Sequence, residues 1–231
     1  MISRWCILAC LILLVGCKGS DAAPKAVAPT GPPPLDIAPG TEAKLFPIKK
    51  GNQWTYISEI NSGNGPELGE MVWRIADVKT VDGATEAKMQ MLTNGKLAEE
   101  QTWRLSRNGL YQRAAGKTKF IPVQPIIVFP PKTARQFAYR GSGVTPLGST
   151  GSLDSESKII GSQEVDTDMG RVTAIAVESI VKFKTGQKDG IAITTTWLQP
   201  DVGVVRYRMD IVVGAAKGST VLRLKSTNVK P

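Results

Sequence analysis

Histidine is absent from all 231 residues. Without it there is no Ser-His-Asp or Cys-His nucleophile and no His-ligated zinc, copper or haem site. Cysteine occurs only as Cys6, Cys10 and Cys17, at the extreme N-terminus. The rest of the chain therefore lacks disulfides, iron–sulfur clusters and thiol nucleophiles. Long amphipathic patterns are missing too. No window of twelve or more residues repeats its apolar positions every 3.6 residues, so helices are expected to be few and short. Acidic residues are the minority charge, 20 against 29 Lys and Arg, for a formal charge of +9. No cofactor, metal ion or nucleic-acid partner is expected.

What is present begins with an export signal. Arg4 is followed by an apolar run over 5–15, too short to anchor stably across a bilayer. The run ends in Leu14-Val15-Gly16-Cys17, which resembles the bacterial lipobox. That resemblance implies that Cys17 is lipidated on sulfur, palmitate included, and becomes the first residue of the mature protein. Each buried methylene of such an anchor contributes roughly 0.8 kcal/mol to membrane retention. Residue 18 is Lys rather than Asp. By the sorting rule of enteric bacteria, that points to the outer membrane, facing the periplasm. The expected division is a signal peptide over 1–16, a lipidated Cys and Pro/Ala-rich tether over 17–43, and one β-rich domain over 44–231. Pro24, Pro29, Pro32, Pro33, Pro34 and Pro39 forbid helix and ladder pairing in the tether. It reads as a semi-rigid spacer.

Beyond the tether the punctuation is that of a β protein. Asp82-Gly83, Asn94-Gly95, Asn108-Gly109 and Asp189-Gly190 are hairpin-turn dipeptides, because Asn, Asp and Gly tolerate positive φ. Strands are expected over 54–60, 71–81, 85–92, 98–106, 110–114, 136–141, 153–160, 171–185, 191–198, 204–213 and 220–229. Alternation is cleanest near the C-terminus. Val205, Tyr207, Met209, Ile211 and Val213 share one face, and Arg206, Arg208 and Asp210 the other. Over 71–81 the apolar parity changes after Ile75, as a bulge or two-sided burial requires. The fold class is mainly β: a large curved antiparallel sheet of about ten or eleven strands, as half-barrel, open barrel or sandwich.

Catalytic motifs fail one by one. Ser155-Glu156-Ser157-Lys158 and Lys184-Thr185-Gly186 imitate penicillin-binding signatures. They lie too close together, in an alternating segment, with no S-x-N between them. Gly116-Lys117-Thr118 ends like a P-loop, but Tyr111 stands where its first glycine is needed. Glu164, Asp166 and Asp168 alternate as a calcium site would, without a glycine to turn the chain around the ion. Asp154 with Glu156, or Glu99 with Glu100, are candidate carboxylate pairs for glycan or peptidoglycan hydrolysis. No residue is assigned a catalytic role.

Two terminal motifs carry a family resemblance. Phe46-Pro47, Gly51, Trp54 and Tyr56 follow an FPxxxGxxWxY pattern, and Trp197, Pro200, Val202, Gly203 and Val205 a WxxPxVGxV pattern. A middle segment carries Gly161, Glu164 and Val165, then Gly170. Together they resemble uncharacterised bacterial lipoprotein and periplasmic domains, with a looser similarity to the half-barrels of Lol-type lipoprotein carriers. The resemblance implies a curved antiparallel sheet and an apolar ligand. It implies no catalytic residue.

Two surfaces stand out as candidate sites. Lys182, Lys184, Arg206, Arg208, Arg223 and Lys225 occupy outward positions of the C-terminal strands and are expected to form one patch for anionic lipid or cell-wall polymer. The stretch 120–131 is the most apolar after the signal peptide. Its Pro122, Pro125, Pro130 and Pro131 exclude a central strand. Phe120, Ile126, Ile127 and Phe129 would then cover an open end of the sheet or line a pocket mouth. The expected function is that of a non-enzymatic envelope lipoprotein, held at the membrane by its anchor and binding a partner or anionic surface. The alternatives are an amphiphile carrier and a carboxylate-dependent hydrolase.

Overall fold

Positive backbone φ at Asp82 (50°) and Gly83 (69°), and at Asn94 (51°) and Gly95 (75°), makes two tight turns. Both residues of each pair are left-handed, the geometry that matches the twist of antiparallel strands. These turns begin a meander that runs through the whole described chain. In this computed structural model, residues 42–63, 65–131 and 134–230 are described. A short 3-10 turn, Glu42–Leu45, precedes the strands β1 (Gln53–Asn61), β2 (Pro66–Val81), β3 (Ala84–Thr93), β4 (Lys96–Ser106), β5 (Gly109–Ala115) and β6 (Thr118–Val128). There follow β7 (Gln136–Val144), β8 (Thr150–Thr167), β9 (Gly170–Thr185), β10 (Lys188–Gln199), β11 (Gly203–Val213) and β12 (Ala216–Thr227). Each strand pairs with its sequence neighbours, and β1 also pairs antiparallel with β12, closing a barrel. Closure leaves no free sheet edge.

Eleven of these strands lie where alternation and turn residues place them. The twelfth, β6, is the exception, because it runs through Pro122 and Pro125. It is a barrel strand between β5 and β7, not a cover outside the sheet. The prolines still leave their mark. β6 pairs with β5 at six positions but with β7 only through Ile121 and Ser142. Asp189-Gly190 is a second departure. Both residues lie inside β10, and the chain turns earlier, at Gly186 (φ 58°). Glycine is required at 190 for another reason: a Cβ there would run into the Phe183 ring. The parity change in β2 is a bulge between Ile75 and Asp77.

The barrel interior is packed with side chains. At one end Phe46 stacks on Trp54 (centroids 5.2 Å apart) and on Trp103 (4.8 Å), and Trp73 contacts Tyr56 (5.0 Å). Leu45 and Phe46 are fully buried, so the 3-10 turn and the residue after it plug this end. Trp54 donates its indole N–H to the Val202 carbonyl (2.6 Å), and the Tyr56 hydroxyl donates to the Val204 carbonyl (2.9 Å). Asp201 closes the contact by donating its backbone N–H to the Lys44 carbonyl. The two terminal motifs therefore meet across the barrel and act in packing. A second cluster, with Phe120, Tyr139, Leu153, Val181 and Phe183, fills the other region. Ser58, Ser155 and Ser157 are also buried, and Ser157 bonds Ser179 through their hydroxyls (2.7 Å).

Candidate functional site

The outer wall is where charge collects. Outward positions of β9, β11 and β12 carry Lys182 and Lys184, Arg206 and Arg208, and Arg223 and Lys225. Cross-strand register shows how they lie. Arg206 is opposite Arg223 on one side and Trp197 on the other, and Trp197 is opposite Ala176. Lys182 is six residues further along β9 from Ala176, about 20 Å at ~3.3 Å per residue. The six cations thus fall into two groups on the wall.

Nearby groups engage all four cations of the upper group, Arg206, Arg208, Arg223 and Lys225. The Arg206 guanidinium lies over the Trp197 ring, 5.4 Å from its centroid, while the Trp197 indole donates to Gln163 (2.8 Å). Arg208 grips Asp210 through two N–H donors (2.7 and 3.1 Å). Lys225 pairs with Glu70 at 2.7 Å and Arg223 with Asp168 at 3.9 Å. The hydrogen bond and charge of Asp210 push the Arg208 pKa up, and those of Glu70 raise that of Lys225.

The lower group borders a cleft of about 730 Å³ in the wall of β7 to β11. Lys182, Lys184 and Arg140 line it, with Ile191 and Val212 among its apolar residues. One register row, Lys182–Ile191–Val212, crosses three strands. Ile180 and Ile193 form the adjacent pair, and all four aliphatic residues are 42–46% exposed. Gly141 and Gly190 keep the relief low. Arg140 is held by Asp154 (2.8 Å), and Lys184 lies 4.0 Å from Asp189. Among the described residues Lys182 has no ion-pair partner. A cation beside exposed aliphatic groups is suited to an anionic, partly apolar surface.

The other residues singled out in the sequence have clear positions. Phe120, Ile127 and Phe129 are buried, and Ile126 is half-buried against the main core. Glu164 and Asp166 both face Arg171 (3.7 and 2.9 Å), and the bond to Asp166 raises the Arg171 pKa. Glu99 accepts a hydrogen bond from Gln101 (3.2 Å), and Glu100 pairs with Lys88 (3.0 Å). Among the described residues no group of three potential metal ligands occurs. Cys17 and the tether lie outside the described residues. The exposed row of Ile180, Ile191, Ile193 and Val212 was missed in the sequence. Its signal in β10 was Ile191 and Ile193 at successive outward positions, and the register that places them beside Ile180 and Val212 exists only in the paired sheet.

No protein-family profile matches the chain, and no curated protein resembles its sequence. Its fold is similar to that of a candidate lipoprotein from Parabacteroides distasonis, with a TM-score of 0.50 and 12% identity over 80% of this chain and 98% of that one. A candidate exported protein with a YmcC-like fold from Bacteroides fragilis aligns at a TM-score of 0.46 and 12% identity, over 78% and 96% of the two chains. The hypothetical lipoprotein YmcC of Escherichia coli aligns at 0.35 and 10%, over 84% and 90%. At 12% identity the first likeness concerns the fold alone.

Proposed function

We propose that the protein is a lipid-anchored, non-enzymatic component of the bacterial cell envelope, a binding barrel on a tether. Its anchor is Cys17, and its place is the outer membrane, facing the periplasm. The outer wall of β7 to β11 engages an anionic envelope surface, lipid or cell-wall polymer. The observation that carries this reading is the contrast between a packed interior and an outer cleft that joins Lys182 to exposed aliphatic residues.

The polarity of the wall also supports a barrel in water. A membrane-spanning barrel needs an outward apolar band about 25 Å tall. Here the outward positions of β9, β11 and β12 carry Lys, Arg, Asp and Glu, and the exposed Ile180, Ile191, Ile193 and Val212 make a local patch bordered by Lys182, not a band. For hydrolysis, the candidate carboxylates are already engaged, Asp154 by Arg140 and Glu100 by Lys88. Amphiphile carriage would need room where Trp54, Tyr56, Trp73 and Trp103 pack. The test is sedimentation of the Cys17→Ser chain with anionic and neutral vesicles. Salt-sensitive binding to the anionic set is expected, and equal binding to both overturns the reading.

A further inference from the structure

A second cleft, of about 670 Å³, lies on a different part of the wall. Lys79, Glu86, Arg104 and Tyr111 form one outward register row across β2 to β5. Arg113 joins them because β5 bulges. Thr102 pairs with Ala114 and Trp103 with Gln112, which leaves Arg113 as the extra residue. A bulge re-aims the side chain it carries, and the Arg113 guanidinium bonds the Glu86 carboxylate. Glu86 also lies 3.6 Å from Lys79 and 3.9 Å from Arg104, and its side chain is only 4% exposed.

One carboxylate thus fixes the positions of three cations. Arg104 and Arg113 also line the cleft, beside Arg107, Ser106, Asn108 and Tyr111. Arg107 is exposed and has no ion-pair partner among the described residues. Tyr111 donates its hydroxyl to the Asn108 carbonyl (3.2 Å), and the Ser106 hydroxyl accepts from the Asn108 N–H (3.3 Å), which shapes the rim. Lys79, Arg104, Arg107 and Arg113 against Glu86 and Asp82 leave a formal surplus of two positive charges.

We propose that this arginine cleft binds a phosphate monoester group. Guanidinium forks match phosphate oxygens in pairs. A phosphate monoester carries about −1.5 to −2 at pH 7, which balances the surplus. Glu86 holds Arg104 and Arg113 in place beforehand, so less side-chain entropy is lost on binding. The site is separate from the Lys182 cleft and does not depend on it.

The experiment titrates the full chain, in neutral detergent at low salt, with inorganic phosphate and with soluble dihexanoyl phosphatidic acid. Calorimetry gives the affinity, and acetate is the monoanion control. Saturable binding of phosphate or phosphatidic acid, with acetate much weaker, is expected. Equal affinity for the two probes assigns the site to a free phosphate group, and much tighter phosphatidic acid assigns it to a lipid headgroup. Arg107→Ala removes one unpaired guanidinium from the rim without touching Glu86. It should weaken binding about tenfold, the scale of one charge-assisted hydrogen bond. Lys182→Glu should leave binding unchanged. Absence of saturable binding, acetate as tight as phosphate, or an unaltered Arg107→Ala affinity would overturn the proposal.

Discussion

Tyr56 shows how a single side chain ties the barrel together. Its ring packs on Trp73, and its hydroxyl donates to the Val204 carbonyl from a fully buried position. Burial raises its pKa well above the ordinary 10.0, because the phenolate has no water to stabilise it. The folded state therefore holds the proton more tightly than the unfolded chain does. Its contribution to stability is fully present below pH 10 and is lost as pH rises through the higher folded value. Tyr56→Phe should cost about 1 kcal/mol at neutral pH by orphaning the Val204 carbonyl. Above pH 10 the variant should lose stability less steeply than the parent. Denaturant unfolding at pH 7 and across pH 9–11 checks both, and identical slopes would contradict the assignment. Tyr111, Tyr139 and Tyr207 are also raised by burial, so a residual slope is expected in the variant.

At the scale of elements, the ladder is uneven. β8 and β9 pair from Ser152 and Lys184 to Thr167 and Gly170, whereas β6 and β7 share one pair. The amides of β7 that face β6 should exchange hydrogen faster than those of β9 that face β8. Equal protection by exchange mass spectrometry would show the seam to be as strong as the rest. This seam is also where sequence reading was weakest. The prolines that argue against a strand in general remove ladder donors here, and Phe120, Ile127 and Phe129 hold the segment by burial instead. Elsewhere local rules and tertiary structure agree: Asp82-Gly83 turns where it should, and the parity change after Ile75 is a bulge. Asp189-Gly190 misled because the Phe183 ring, a tertiary neighbour, sets the need for Gly190. The Lys182 and Lys184 side of the candidate site was legible from alternation. The separation from Arg206 was not, because alternation fixes which face a residue takes but not its height along the barrel. The arginine cleft was hidden for a similar reason, since the bulge at Arg113 and the register row through Glu86 exist only in the paired sheet.

At the scale of the whole molecule, the proposed function joins a lipid anchor at Cys17 and a spacer to the closed barrel, with the proposed binding groups on its outer wall. Cys17→Ser should abolish incorporation of a fatty-acid analogue and release the protein from the membrane fraction. Equal labelling of the variant would contradict the anchor. The proposed interaction joins the wall of β7 to β11 to an anionic surface through Lys182 and Lys184. It is tested most directly by co-sedimentation of the Cys17→Ser chain with phosphatidylglycerol vesicles over a salt series. Lys182→Glu/Lys184→Glu and Arg206→Glu serve as the two comparison variants. Binding is expected at low salt and should fade as the Debye length shrinks to about 8 Å near physiological ionic strength. The double variant should not bind, with its thermal unfolding unchanged, and Arg206→Glu should lose less because Arg206 is already committed to Trp197. Binding that ignores salt, or a double variant that binds as well as its parent, would contradict it.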